Sequence, residues 1–228
     1  MADWDLNGAR IAFDLDGTLV DTAPDLVRAL NDAITPAGLD PVPVDAVRAM
    51  VGRGARALII RAHERANHPV PEEAILIERL DIFLQSYRAD ICAKSRPFEG
   101  VERALDVLAD AGAELSVCTN KPGWLAVPLL EALGMKERFA RIIGPEDTPA
   151  KKPDAAHLET ALAGPADRAS VLVGDSEPDV ASAKAAGAWS VIFEGGYSEK
   201  PARTLGADRL FRHFDELPGL VASLIDKS

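Results

Sequence analysis

The stretch FDLDGTLVDT, from Phe13 to Thr22, continues the apolar run that begins at Ile11 and places two aspartates one residue apart. Two carboxylates at the end of a buried strand repel one another and are costly to remove from water. Taken alone, the stretch is also compatible with an ordinary turn, because Asp-Gly is a common turn dipeptide and Asp often begins a helix. The rest of the chain decides between a turn and a functional site.

Further short apolar runs follow the first one along the chain. They are continuously apolar rather than alternating, as expected for parallel strands that are covered on both faces. Four helical patterns lie among the later runs; three begin at or near a proline and all four end at a glycine. This alternation predicts an α/β fold with a doubly wound, Rossmann-like parallel sheet. The predicted strands are residues 10–14, 114–119, 141–144, 170–175 and 190–194.

The connection between the first two predicted strands is unusually long. It contains about a hundred residues, far more than one crossover helix needs. Its pattern predicts helices only, at residues 22–35, 43–50, 54–67 and 71–92. We therefore expect an inserted all-helical cap domain, residues 21–94, that could close over the carboxyl end of the first strand. Residues 1–20 and 95–228 would form the α/β core domain.

Composition limits the classes of partner and compartment. The 228-residue chain is 47% hydrophobic and 27% charged, which suits a sizeable buried core, and its formal net charge is -11. Such a negative field disfavours nucleic acid and anionic membranes as partners. No apolar run approaches the length that crosses a bilayer, and the first residues are acidic where a signal peptide would be basic. The oligomeric state is left open between monomer and homodimer.

The cysteines and histidines show no pattern of a disulfide or a zinc site. Cys92 and Cys118 stand alone, which predicts a reducing, cytoplasmic compartment. The four histidines lack zinc-type spacing. Since His63 and His157 lie in helical patterns, surface or cap positions are expected for them.

Polar residues follow four of the predicted strands. Each group has an ordinary alternative: a turn, a helix cap or a solvated pair of lysines. Four such groups at matching strand ends of one sheet indicate a common site, because ligands of open α/β sheets bind there. The groups are Asp14 and Asp16; Thr119, Asn120 and Lys121; Lys151 and Lys152; and Asp175, Ser176 and Asp179.

These side chains suit phosphoryl transfer. Asp14, Asp16 and Asp175 supply hard oxygen ligands of the kind that Mg²⁺ prefers, and the metal would offset their mutual repulsion. Lys152 adds a fixed positive charge for a phosphate group. Asp179, one helical turn beyond Asp175, could orient water at the metal.

The segments DLDGTL, VCTNK, KKP and GDSEPD, in this order, resemble the four motifs of haloacid dehalogenase superfamily phosphatases. The resemblance covers essentially the whole chain, including the helical insertion after the first motif. It implies that Asp14 is the nucleophile that forms an aspartyl-phosphate. It also implies that Asp16 is the general acid and base and that its backbone carbonyl binds Mg²⁺.

The same resemblance assigns the remaining motif residues. The implied phosphate-binding residues are Thr119, Asn120 and Lys152; the implied metal ligands are Asp14, Asp16 and Asp175; Ser176 and Asp179 would support those ligands from behind. The chain departs from the family's usual Lys-Pro-x-Pro at Ala155, which we expect to affect only the start of the following helix.

Within the superfamily, the chain most resembles the phosphoglycolate phosphatases. The matching features are the cap loop Val51-Gly52-x-Gly54, the segment TNKP at 119–122 and the segment PFEGV at 97–101. They imply a small phosphate ester as substrate, with 2-phosphoglycolate as the best candidate. Arg53 could meet the substrate carboxylate, and a solvated arginine in a turn is an equally good interpretation.

Other functions remain open at this point. Related phosphatases act on sugar phosphates, pyrophosphate or nucleotides, and a phosphosugar mutase shares both aspartates. A non-catalytic phosphate sensor belongs to a different class, which a complete catalytic set disfavours. A true haloacid dehalogenase would not need an acid at Asp16, since no alkoxide has to be protonated.

Overall fold

Strand β1, Arg10–Phe13, lies near the middle of a six-stranded parallel sheet. The computed structural model describes residues 4–48, 50–52 and 54–225. The other strands of this sheet are β4 (Glu114–Cys118), β5 (Arg141–Ile143), β6 (Ser170–Gly174), β7 (Trp189–Phe193) and β8 (Arg209–Phe211), and the order is β5-β4-β1-β6-β7-β8. Every neighbouring pair is parallel. The predicted α/β parallel sheet is therefore confirmed.

Both faces of β1 are covered, which explains why its sequence is continuously apolar. Ile11 and Phe13 belong to one buried cluster, whereas Ala12, which points to the opposite face, belongs to another. Helices α5 (Val101–Asp110), α6 (Gly123–Ala132) and α9 (Leu217–Ile225) contribute to the first cluster. Helices α7 (Ala155–Ala161) and α8 (Glu177–Ala186) contribute to the second.

The long connection after β1 forms four helices: α1 (Ala23–Ile34), α2 (Val44–Arg48), α3 (Ala55–Arg65) and α4 (Glu73–Ala89). Their buried faces share a separate hydrophobic cluster, which includes Leu30, Ile59 and Phe83. The division into domains at residues 21 and 94 remains a prediction.

The prediction of helices only was wrong at the base of this insertion. Strand β2 (Val20–Asp21) pairs antiparallel with β3 (Arg96–Pro97), where the chain leaves the core and returns. Two residues are too few to show a strand pattern in a sequence. Nearby, the buried carboxylate of Asp25 accepts hydrogen bonds from the backbone N–H groups of Lys94 and Ser95 and from the Ser95 hydroxyl. These hydrogen bonds link the segment where the chain leaves the core to the segment where it returns.

Strand β8 and helix α9 are also absent from the predicted elements. β8 has three residues and lies at the edge of the sheet, so it offers little periodicity to detect. Among the helices of the described residues, none combines the length and the apolar character required to cross a bilayer.

Candidate active site

Asp14 and Asp16 follow β1 directly, and a tight turn brings their loop against β6. Gly17 in this turn has φ +86°, and a Cβ atom there would lie 2.6 Å from a carboxylate oxygen of Asp175. Thr18 next donates a hydrogen bond of 3.1 Å to the other oxygen of that carboxylate. The turn therefore requires glycine, both for its backbone conformation and for this close approach.

Three buried carboxylates converge beyond the ends of β1 and β6. One oxygen each of Asp14, Asp175 and Asp179 lies within 4.8 Å of the others. Burial raises the pKa of Asp14 to about 6, against the opposing effect of Lys152. Burial, together with Asp179 and Asp14, raises the pKa of Asp175 well above its usual range. Three carboxylates brought together away from water favour a cation between them.

Lys152 is the fixed cation of this cluster. Its Nζ lies 2.9 Å from Asp14 Oδ1 and 2.6 Å from Asp179 Oδ1, and all three side chains are buried. Burial disfavours the ammonium charge, but Asp14 and Asp179 outweigh it and raise the pKa of Lys152. The lysine is therefore charged at neutral pH and points at the predicted nucleophile.

Asp179 serves the start of helix α8 as well as Lys152. Its Oδ2 accepts hydrogen bonds from the backbone N–H and the hydroxyl of Ser176, at 3.0 and 2.6 Å. With Ser176 it forms a capping box, which satisfies backbone donors of the first helical turn. Because one of its oxygens binds Lys152 and the other caps helix α8, Asp179 supports the site through Lys152 and Ser176.

The carboxylate of Asp16 is held outside the three-carboxylate cluster. It accepts a hydrogen bond of 2.7 Å from the Thr22 hydroxyl and two bonds, 3.0 and 3.1 Å, from Lys121 Nζ. Lys121 Nζ also lies 4.3 Å from the centre of the Tyr87 ring, which belongs to α4 in the insertion. The sequence analysis listed Lys121 among the polar residues that follow the second predicted strand, but gave it no role of its own.

Thr119 and Asn120 follow β4 and face the same site. The Thr119 hydroxyl accepts the Lys121 backbone N–H at 3.2 Å, so its own proton can be donated elsewhere. Both amide protons of Asn120 are directed at backbone carbonyls, those of Gly52 and Lys152, each at 3.2 Å. Asn120 thereby joins the cap loop to the lysine loop, while its buried Oδ1 has no hydrogen-bond partner among the residues that the structure describes.

His157 holds the backbone of the Lys152 loop in position. Its Nδ1 accepts the Lys152 backbone N–H at 3.0 Å, and Nε2 lies 3.3 Å from the Ile143 carbonyl. Burial, together with Lys152, lowers the pKa of His157 to about 4, so the ring is neutral. His63 is also buried. The expectation of surface or cap positions for these two histidines was wrong, because a helical pattern does not indicate which face meets a neighbouring loop.

Tyr197 connects Asp175 of the three-carboxylate cluster with the base of the insertion. Its backbone N–H donates to Asp175, and its hydroxyl donates to Asp21 and accepts the backbone N–H of Ala23. Asp21 is also paired with Arg48 of α2 at 2.9 Å. The sequence analysis gave Tyr197 no role, since its partners lie far away along the chain.

A cavity lies between the loops that follow β1 and β4 and the inserted helices. Its wall includes Asp14, Asp16 and Lys121 on the core side and Leu58 and Phe83 on the cap side. The space that the centre of a water molecule can reach is about 50 Å³, room for only a few water molecules. The enclosure suits a small leaving group.

The cap loop supplies part of the wall. Gly52 and Gly54 line the cavity. Arg53, the predicted partner of a substrate carboxylate, lies outside the described residues. The structure thus brings together the other predicted site residues, namely Asp14, Asp16, Thr119, Asn120, Lys152, Asp175, Ser176 and Asp179.

Comparison with known proteins agrees with this arrangement. The haloacid dehalogenase-like hydrolase family matches residues 11–193. A phosphoglycolate phosphatase from Caulobacter vibrioides is 46% identical over 226 residues, which cover 97% of this chain and 94% of that protein. A predicted phosphoglycolate phosphatase from Haemophilus somnus has a TM-score of 0.84 at 28% identity, covering 96% of this chain and 99% of its own.

A third relative carries a ligand. CbbY from Rhodobacter sphaeroides, solved in complex with phosphate, has a TM-score of 0.75 at 25% identity, covering 92% of this chain and 96% of its own. The chain therefore belongs to the haloacid dehalogenase-like hydrolase family. Within that family it is similar to phosphoglycolate phosphatases, and the prediction of a phosphoric monoester hydrolase is confirmed.

Proposed function

We propose that this enzyme hydrolyses a small phosphate monoester through an aspartyl-phosphate on Asp14, with Mg²⁺ as cofactor and 2-phosphoglycolate as the best substrate. The observation that carries the proposal is the position of Asp14. It lies at the carboxyl end of the central strand, 2.9 Å from Lys152 Nζ and next to the Asp175 carboxylate. A buried carboxylate with one fixed cation and a second carboxylate beside it suits a nucleophile that works with a metal.

The donor set fits Mg²⁺. The site offers hard carboxylate oxygens from Asp14 and Asp175, and Lys152 contacts two of the three converging carboxylates, those of Asp14 and Asp179. When bound, Mg²⁺ would draw negative charge from the phosphate group and lower its repulsion toward Asp14. The Asp16 backbone carbonyl is proposed as a further ligand.

In the first half-reaction, Asp14 attacks the phosphorus atom and the bond to the leaving-group oxygen breaks. Lys152 and the Thr119 hydroxyl hold the phosphate oxygens and stabilise the charge that spreads over them. Asp16 donates its proton to the departing oxygen. In the second half-reaction, ionised Asp16 removes a proton from water, which attacks the phosphorus and releases inorganic phosphate and free Asp14.

The neighbours of Asp16 support its two roles. Thr22 and Lys121 hold the carboxylate beside the cavity and apart from the three-carboxylate cluster. An acid in this place can reach a leaving group that enters from the cavity while Asp14 remains on the phosphate. Asn120, with both amide protons on backbone carbonyls, would help to position the cap loop and the Lys152 loop over the phosphate.

The small cavity supports a small leaving group such as glycolate. The similarity to phosphoglycolate phosphatases favours the same substrate. The further parts of the proposal are a cytoplasmic monomer or homodimer, a cap domain at residues 21–94, and no nucleic-acid or membrane partner. Sugar phosphates, pyrophosphate and nucleotides are the alternatives that a substrate screen must include.

The proposal is tested by phosphate release from a panel of esters, with and without EDTA. We expect 2-phosphoglycolate to rank first, activity to be lost with EDTA and Asp14→Asn to lose about a thousand-fold or more. Full activity in EDTA would refute the metal requirement. Near-native activity of Asp14→Asn would refute the covalent step. A higher kcat/KM for a sugar phosphate than for 2-phosphoglycolate would change the substrate assignment. It would not contradict the proposed phosphatase chemistry.

Arg53 is proposed to pair with the substrate carboxylate. Because the carboxylate would lose a charged hydrogen bond, Arg53→Ala should lower kcat/KM for 2-phosphoglycolate by about ten-fold or more. p-Nitrophenyl phosphate, which has no carboxylate, provides the control and should change much less. Equal losses on both substrates would assign Arg53 to cap closure.

A further inference from the structure

Lys121 is a buried cation in contact with the predicted general acid. Its side chain is 3% exposed, and its Nζ binds both oxygens of Asp16 at 3.0 and 3.1 Å. A buried ammonium group needs an anionic partner, and the Asp16 carboxylate is that partner in this structure.

Lys121 differs in charge from the other described residues that line the cavity. Among the described residues that line the cavity, Lys121 is the one with a cationic side chain. Most of the lining side chains from the insertion are apolar, including Leu58, Phe83 and Leu84. An anionic substituent on the leaving group would therefore find a charged hydrogen-bond donor on the core side of this wall, in addition to the contact proposed for Arg53.

We propose that Lys121 recognises an anionic substituent, such as a carboxylate, on the leaving group; this inference rests on the proposed function. Asp16 must reach the leaving-group oxygen to protonate it. The ammonium lies about one hydrogen bond from Asp16, so it lies beside the atoms attached to that oxygen. In 2-phosphoglycolate a single methylene joins the ester oxygen to the carboxylate, which places the carboxylate within reach of Lys121.

The exchange of partners balances the buried charge. When Asp16 turns toward the leaving-group oxygen, Lys121 loses a carboxylate, and a substrate carboxylate takes its place. A neutral leaving group offers no such replacement and leaves the ammonium without an anionic partner, which is costly in a buried site. Recognition thus comes from a penalty on neutral leaving groups as well as from a bond to anionic ones.

Tyr87 makes this subsite depend on the insertion. Its ring lies 4.3 Å from Lys121 Nζ and is itself fully buried. The face of an aromatic ring attracts a cation, and the attraction increases where water is excluded. Because Tyr87 belongs to α4 and Lys121 follows β4, this contact exists only while the inserted helices lie against the core.

The test compares two substrates that differ at one group: 2-phosphoglycolate and 2-hydroxyethyl phosphate, in which a hydroxymethyl group replaces the carboxylate. The readout is the ratio of their kcat/KM values, with Mg²⁺ present. A defect in Asp16 positioning or in folding lowers both values and cancels in the ratio. We expect Lys121→Met to lower the ratio by about thirty-fold or more, the effect of one charged hydrogen bond. Tyr87→Leu should lower it by a smaller factor.

Lys136→Met provides the matched control, because it removes the same charge from a surface ion pair with Glu131. It should leave both rates within about two-fold of the wild type. If Lys121→Met does not fold, Lys121→Gln gives the same readout, since it also lacks the charge.

The outcomes separate this inference from the proposed function. A wild type that favours 2-phosphoglycolate, with a ratio that falls in Lys121→Met, supports both. An unchanged ratio in a variant whose two rates fall together overturns the role of Lys121 in recognition and leaves the function standing. A wild type that hydrolyses the two esters equally well overturns the substrate assignment and the inference with it, and the wild-type rates alone identify this case.

Discussion

Replacing Lys152 by alanine tests the electrostatic logic of the site. Lys152 Nζ contacts Asp14 and Asp179 at 2.9 and 2.6 Å, and the three side chains are 1 to 8% exposed. Without the lysine, the Asp14, Asp175 and Asp179 carboxylates remain together and lose the cation that contacts two of them. Removing one partner of a buried ion pair typically costs about 3–5 kcal/mol of folding free energy. We expect Lys152→Ala to be destabilised by about that amount in EDTA at neutral pH.

The same substitution removes the charge that faces the phosphate group. Loss of one preorganised donor to a transition-state oxygen costs about 10²–10³ in kcat. We expect a decrease of that size with Mg²⁺ present, and a partial recovery of stability, because the metal supplies positive charge to the carboxylates.

Chemical denaturation in EDTA and in Mg²⁺ measures the first effect, and steady-state phosphate release measures the second. Lys151→Ala is the matched control, since it removes the neighbouring lysine, whose side chain is exposed. It should be much milder in both assays. A Lys152→Ala enzyme within about 1 kcal/mol of wild-type stability and within ten-fold of its rate would refute the reasoning.

Three further predictions concern the loop after β1. Burial raises the pKa of Asp14 from its usual 3.8 to about 6. Between those pH values the folded metal-free protein binds a proton that the unfolded chain lacks, so the stability contributed by this group falls as pH rises from about 4 to 6, by at most about 3 kcal/mol. Metal-free Asp14→Asn should therefore be more stable than the wild type at about pH 7 and lose that advantage toward pH 4; parallel stability curves would contradict this. Asp16→Asn should accumulate phosphorylated Asp14 with p-nitrophenyl phosphate, because the good leaving group needs no acid whereas hydrolysis needs a base; intact mass spectrometry that found no added phosphoryl group would exclude such a trap. Gly17→Ala should weaken Mg²⁺ activation by about ten-fold or more, since its Cβ would lie 2.6 Å from an Asp175 oxygen. Gly8→Ala, at a similar positive φ with open space around it, separates backbone strain from this clash in a Mg²⁺ titration.

The sequence predicted the sheet and the motif loops because both depend on local patterns. Apolar runs identified five of the six strands of the main sheet. The predicted ends of β1, β4 and β6 lie within one or two residues of the observed ends, so Asp14, Thr119 and Asp175 were correctly expected there. Parallel pairing then brings those ends to one edge, whatever the strand order. The three-carboxylate cluster follows from that geometry.

The contacts that were missed join single side chains over long distances in the chain. Lys121 meets Asp16 across 105 residues, and the Tyr197 hydroxyl meets Asp21 across 176. Neither pairing has a periodic signal, because each depends on the angle at which two elements pack. The buried position of His157 was missed for a different reason: its partner, the Lys152 backbone, is near in sequence, but a helical pattern does not indicate which face of the helix meets that loop.

The central position of β1 has a consequence for how the chain folds during synthesis. β1 emerges early, yet its hydrogen-bonding partners β4 and β6 begin at residues 114 and 170. Pairings of such long sequence separation form slowly, and the exposed apolar strand is prone to aggregate until they form. The bond between Thr18 and Asp175, which spans 157 residues, cannot exist before the second half of the chain has been made. We expect nascent chains that stop before β6 to depend on chaperones and to have no phosphatase activity.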